Sequence, residues 1–157
     1  MNVKYINPFI TATQNVFQEF VGISLTPGKP SIYIPQEDAN KFDVSGIIGL
    51  AGEVVGVVVI SLPKIPALKV TSKLVGKEVK IFDDFVTDAV GEIVNIIAGN
   101  VKKDMEEFKI VISLPSIVKG NGHTLSWISG VPVIKIPFAS EYGDFFVFVS
   151  LKDILGI

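Results

Sequence analysis

The most regular hydrophobic pattern in the chain runs from Phe82 to Lys103. There Val86, Val90, Ile93, Ile97 and Val101 recur at the spacing of one helix face. Asp83, Asp84 and Asp88 lie near its start and Lys102 and Lys103 at its end, the arrangement a helix dipole favours. A second helical pattern covers Pro8 to Val21, with Phe9, Val16 and Phe20 on one face, Pro8 suited to the first turn and Gly22 placed to stop it. Strands are predicted at Ser31–Ile34, Phe42–Leu50 and Val54–Leu62, the last two joined by a tight Ala51-Gly52-Glu53 turn, with a short helix following around Ala67–Val75. Past the long helix, strands are expected at Phe108–Leu114, Thr124–Ile128, Val131–Phe138 and Phe145–Leu151. Gly120-Asn121-Gly122, Gly130 and Tyr142-Gly143-Asp144 read as the turns between them.

The order helix, three strands, short helix, then helix, three or four strands and a short tail is a repeat. An offset of 77 sets Thr11 on Asp88, Asn15 on Glu92, Gln18 on Asn95 and Gly22 on Gly99. A second match, offset by 89, sets Ile60-Ser61-Leu62 on Val149-Ser150-Leu151, the growth reflecting longer loops in the second half. The expected fold is α+β: two α-β-β-β repeats, about 5–76 and 82–157, form one antiparallel sheet with two long helices side by side on one face, as a single domain over residues 1–157.

Composition narrows the class. A chain of 157 residues suits one domain with a real core, and 48% hydrophobic residues with a mean hydropathy of +0.52 point to a largely covered sheet, partly by another subunit. Membrane insertion is not expected: the most apolar stretch, Gly46 to Ile60, is interrupted by Glu53, and a spanning helix needs about 20 apolar residues. Met1 to Phe20 lacks a basic start followed by an apolar core, so the chain is expected to be cytoplasmic. With 14 basic and 16 acidic side chains, net charge −2, it lacks a nucleic-acid footprint. The absence of cysteine removes disulfides, thiolate catalysis and sulfur-ligated metals.

The candidate chemistry lies opposite the apolar stripe of the long helix. At about 100° per residue, with Asp88 at zero, Glu92 falls near +40° and Asn95 near −20°. Two carboxylates and an amide thus share one outward stripe, although any amphipathic helix needs a polar face. In the first half the same phases carry only Thr11, Asn15 and Gln18, so one active surface is expected rather than two.

The run Asp88-x3-Glu92-x2-Asn95, its continuation Ile96-Ile97-Ala98-Gly99-Asn100 and the later Pro115 resemble the signature of the CheC/CheX/FliY chemotaxis phosphatases. The likeness is closest to the CheX branch and extends from Tyr5-Ile6-Asn7-Pro8-Phe9 to Phe145-Phe146-Val147-Phe148. It implies a protein aspartyl-phosphate phosphatase, a hydrolase acting on a phosphorylated CheY-type response regulator in two-component chemotaxis signalling. One working motif per chain and a homodimer are the CheX-like arrangement that the degenerate first helix fits. Pro115 lies closer to Asn95 than the family pattern has it, implying a shortened loop between helix and strand.

On this resemblance Glu92 and Asn95 are the catalytic pair, and Asp88, Gly91 and Gly99 are partner-binding positions. An acyl phosphate needs an aligned water and stabilised charge more than a covalent nucleophile. An amide that donates and accepts at once can hold that water, which gives Asn95 its role. Glu92 would pair with a lysine in the regulator's phosphate site. Mg²⁺ is implied on the phosphorylated partner, with no cofactor or metal in this chain. Gly91 costs about 0.5–1 kcal/mol inside a helix, explained either by a partner's close approach or by tight helix packing. The alternative reading is a non-catalytic module that docks a regulator or a flagellar-switch component.

Other motifs have simpler explanations. His123, the only histidine, falls in a predicted turn with no carboxylate locally placed to orient it. Ser61-x-x-Lys64 and Ser116-x-x-Lys119 lack the companion motifs of acyl enzymes. Gly46, Gly49, Gly52 and Gly56 lie in strands without a following helix, so sheet bends are expected rather than a phosphate cradle. Trp127, Phe145, Phe146 and Phe148 are expected in the core or a subunit interface.

Overall fold

The computed structural model describes residues 2–34 and 42–154. The last tail residues, 155–157, lie outside these. The chain opens with helix α1, Val3–Val16, capped by the Asn2 side chain, which accepts from the Lys4 amide at 3.2 Å. The helix therefore starts five residues before the expected Pro8, and Pro8 sits inside it. Proline has no amide to give a preceding carbonyl, but the buried face formed by Ile6, Phe9, Ala12 and Val16 holds the helix across it. The winding then loosens into a π-helical turn, Phe17–Val21, which ends at Gly22 with φ 80°. The π turn buries Phe17, whose ring stacks on Phe145 at 4.8 Å.

Strands β1 (Thr26–Pro27) and β2 (Ser31–Ile32) are short; β3 (Phe42–Gly52) and β4 (Gly56–Leu62) form a long hairpin. Helix α2 spans Lys64–Val75, and helix α3 spans Asp84–Asp104 with Asp83 as its cap, accepting from the Phe85 amide at 3.0 Å. Then follow β5 (Ile110–Ile112), β6 (Ser116–His123), β7 (Ile134–Ala139) and β8 (Phe145–Leu151).

Among the described residues these eight strands make one sheet in the order β1-β7-β8-β4-β3-β5, with β2 also on β7 and β6 also on β3, and every pairing is antiparallel. The order reads the same from either edge once the halves are exchanged. β4 and β8 meet at the centre, from Gly56 opposite Leu151 to Ser61 opposite Phe146. Each half lends its broken outer strand to the other half's sheet edge: β1 and β2 pair with β7, while β5 and β6 pair with β3.

α1 and α3 pack together, with α2 against α3, and α3 lies over β3. Gly46 is what lets α3 come that close, because a Cβ there would meet the Val90 and Val94 side chains at 3.0 and 3.1 Å. The main core joins Phe9, Val16, Phe17, Ile48, Ile60, Ile93, Ile97 and Phe145. A second cluster packs Phe42, Val59, Val133 and Phe148, with Tyr33, Leu125 and Trp127 laid against it. Phe145 thus belongs to the main core, whereas Phe146, Phe148 and Trp127 belong to the second cluster.

Two expectations about the second half need correction. Thr124–Ile128 is irregular, and the strand lies instead at Ser116–His123, across the Gly120-Asn121-Gly122 run read as a turn. Glycine and asparagine signal turns locally, but β3 offers an open ladder, and the run joins it through an irregularity between Phe42 and Val44. The strand expected over Phe108–Leu114 contracts to Ile110–Ile112.

Candidate active site

Helix α3 carries the candidate residues, and its winding follows from its sequence. Val86, Val90, Ile93, Ile97 and Val101 are buried against the sheet and neighbouring helices, so the opposite stripe must face outward. Asp88 and Glu92 are exposed there, and Asn95, one turn on, is half-buried. Among the described residues neither the Glu92 carboxylate nor the Asn95 amide makes a hydrogen bond or ion pair within the chain. An acid and an amide one turn apart, with all their bonding capacity free, can engage a charged partner and a water at once.

Gly99 lies on the same stripe, and a Cβ at that position would meet nothing within 4 Å. Gly91 is different. It is buried, and a Cβ added there would lie 3.5 Å from Ile117 Cδ1 and 3.8 Å from Pro115 Cγ. The start of β6 rests on the helix at this point, at distances that a methyl group would also accept. The same contact brings Pro115 beside the stripe, despite the short connection from α3.

The first-half stripe does not merge with the second. Asn15 and Gln18 line a cleft of about 440 Å³ with Asn100, Lys103 and Asp104, at the C-terminal end of α3, and neither Glu92 nor Asn95 borders it. Gln18 belongs to the π turn, so its phase relative to Asn15 departs from that of Asn95 relative to Glu92. Its side-chain oxygen also accepts from the Ser24 hydroxyl at 2.9 Å.

His123 lies in β6, not in a turn. One ring nitrogen is 2.7 Å from Ser45 Oγ and the other 3.0 Å from the Gly120 carbonyl, while Ser45 Oγ lies 2.6 Å from Ser61 Oγ. Both serines are fully buried, so this chain pins β6, β3 and β4 together and offers no accessible nucleophile. Asp43 adds a second tie, accepting from the Lys64 amide at 2.7 Å and so capping α2, whose own cap position is Pro63. Among the described residues no three histidine, aspartate or glutamate side chains converge as a metal site, and no helix is long and apolar enough to cross a membrane. Sequence reasoning passed over two exposed neighbours of the stripe, Phe85 and Leu114. Phe85 could have been found from its phase, about +60° from Asp88.

An α+β sheet with paired helices, one of which displays a free acid and amide, defines a class that comparison with known proteins makes specific. A family model described as "Chemotaxis phosphatase CheX" matches residues 44–139, more than half of the chain. The chain belongs to this family of chemotaxis phosphatases. It is similar to a Thermotoga maritima protein named CheY-P phosphatase CheX, 27% identical over 156 residues, covering 98% of this chain and 99% of that one. Among solved structures, a CheC-like superfamily protein from a Shewanella species superposes with a TM-score of 0.87 at 32% identity, covering 97% of this chain and 99% of that one. A CheX–CheY–BeF₃–Mg²⁺ complex from Borrelia burgdorferi matches with a TM-score of 0.80 at 29% identity, covering 95% and 98%.

Proposed function

We propose that this phosphatase hydrolyses the aspartyl phosphate of a phosphorylated CheY-type response regulator, with Asn95 holding the water and Glu92 anchoring the partner. The observation that carries the reading is the freedom of both side chains on one exposed stripe of a helix whose other face is locked in the core. Asn95 accepts a hydrogen bond from the attacking water through its amide oxygen and orients the water in line with phosphorus. As the new O–P bond forms, the P–O bond to the aspartate breaks, its carboxylate leaves, and the water's proton departs with the phosphate. Glu92 carries a fixed negative charge to the regulator's phosphate-site lysine, which sets the register of docking. Asp88 stands one turn before it and adds to the same negative field. Gly99 keeps the far end of the stripe clear, since nothing lies above it.

The Mg²⁺ is assigned to the regulator, where it neutralises charge on the phosphoryl oxygens. Asp84, Asp88 and Glu92 follow one another at one-turn spacing along this face, strung out along the helix in a row that suits docking rather than holding an ion. The chain works in the cytoplasm as a single domain of two interlocked repeats. It forms a homodimer, for which the half-buried Tyr33, Ile47, Val57 and Phe146 around the second cluster supply an apolar surface.

The test is phosphate release from a phosphorylated regulator at substoichiometric protein. A catalyst converts many equivalents; a module that merely docks the regulator converts none beyond the intrinsic rate.

A further inference from the structure

The polar stripe of α3 is bordered on both flanks by large apolar side chains that the fold leaves in solvent. Phe85, in the first turn, is 43% exposed and lies about 60° to one side of Asp88. One face of its ring carries a cation. The Lys77 ammonium sits 4.1 Å from the ring centroid, placed there because α2 ends at Gly76, whose φ of 75° turns the chain back toward α3. On the other flank, Pro115 rests over Gly91, about 60° to the opposite side, and the residue before it in the chain, Leu114, is 86% exposed. Single exposed apolar residues are ordinary, but two bracketing a free acid and amide, one with a cation over its ring, are a different matter.

We propose that Phe85 and Leu114 form an apolar rim that seats the phosphorylated receiver domain over Glu92 and Asn95. This rests on the reading of those two residues given above. The rim is continuous with the stripe on which the receiver docks, so the same partner covers both. Its chemical role is to strip water from around the Glu92 ion pair, where attraction strengthens as the local dielectric falls, while the water on Asn95 stays. Pro115 and Ile117 rest over Gly91 on this side, so the start of β6 and the residue before Pro115 follow the helix.

The experiment is steady-state dephosphorylation with the full chain, using a CheY-type receiver phosphorylated by acetyl phosphate and varied in concentration. Phe85→Ser and Leu114→Ser are each expected to raise KM by about tenfold with kcat within about twofold, the signature of lost binding in ground and transition states alike. Phe85→Leu keeps an apolar contact and returns KM to near the parent value. If the parent chain turns over and both serine variants keep its KM, the rim is wrong while the Glu92–Asn95 reading stands. If the parent chain shows no turnover, that reading fails and the rim with it. A shift of oligomeric state by light scattering in the serine variants, with KM unchanged, would make this patch a contact between copies of the chain and overturn the proposal.

Discussion

Helices α1 and α3 carry matching sequence positions and are different objects. Both end in, or pass through, a glycine 77 positions apart, and both bury a face rich in large apolar residues. α3 keeps regular α winding from Asp84 to Asp104, and its outward groups stay in phase over several turns. α1 changes to π winding after Val16, which buries Phe17 and moves Gln18 out of step, and Ser24 then holds the Gln18 side chain. A working stripe needs more than residue types at the right spacing. It needs uninterrupted winding beneath them and no local partner to occupy them.

The comparison breaks first at Asn95. Asn95→Ala should lower kcat by at least about 100-fold while leaving KM near the parent value, because the amide acts on the water and not on docking. Single-turnover phosphate release measures this directly. The next largest effect is on the seat of α3. Gly46→Val would drive branched methyls into Val90 and Val94, already 3.0 and 3.1 Å from a Cβ, and should cost about 1–3 kcal/mol in urea unfolding with loss of activity in proportion to the unfolded fraction. Glu92→Lys reverses the anchoring charge and should raise KM by about tenfold or more with a smaller change in kcat, an effect that weakens in high salt.

Two further variants sharpen the contrast between the halves. Writing the active residues into the first helix, Asn15→Glu with Gln18→Asn, should not restore turnover to the Asn95→Ala chain, because the π turn displaces position 18. Recovery of turnover there would show that residue identity alone disabled the first half. The smallest effect is at Gly91. A Cβ there meets only ordinary contacts at 3.5 Å and beyond, so Gly91→Ala should raise stability by about 0.5–1 kcal/mol through helix propensity without changing KM. A raised KM at unchanged kcat would instead give Gly91 the partner contact that its burial argues against.

Much of this architecture could be read from the chain. β8 occupies Phe145–Leu151 as expected, and α3 departs by two residues at its start and one at its end, because both elements rest on strong periodicity or a dense apolar run. β6 could not be read, since Gly120-Asn121-Gly122 carries a local turn signal and the ladder that captures it lies about 75 residues earlier, in β3. The beginning of α1 was hidden by Pro8, which marks a first turn when read alone but is tolerated inside a helix held by its buried face. The π turn has no local signature, and it coincides with the stack of Phe17 on Phe145, a tertiary contact.

For the candidate site, the stripe itself was legible as phase, and its identity came from family resemblance on the same residues. What was not legible is what surrounds it: that Gly91 faces Pro115 and Ile117, that Gln18 is engaged, and that Phe85 and Leu114 stand clear of the core. Each depends on where β6, α2 or the chain after Gly22 arrives, and a single helix pattern does not contain that information.

The central claim is that a free amide on α3 positions the hydrolytic water. Its most direct test is phosphate release from excess phosphorylated CheY-type regulator by the parent chain and by Asn95→Ala. Many turnovers by the first and the intrinsic rate with the second is the predicted result; equal acceleration by both would contradict it.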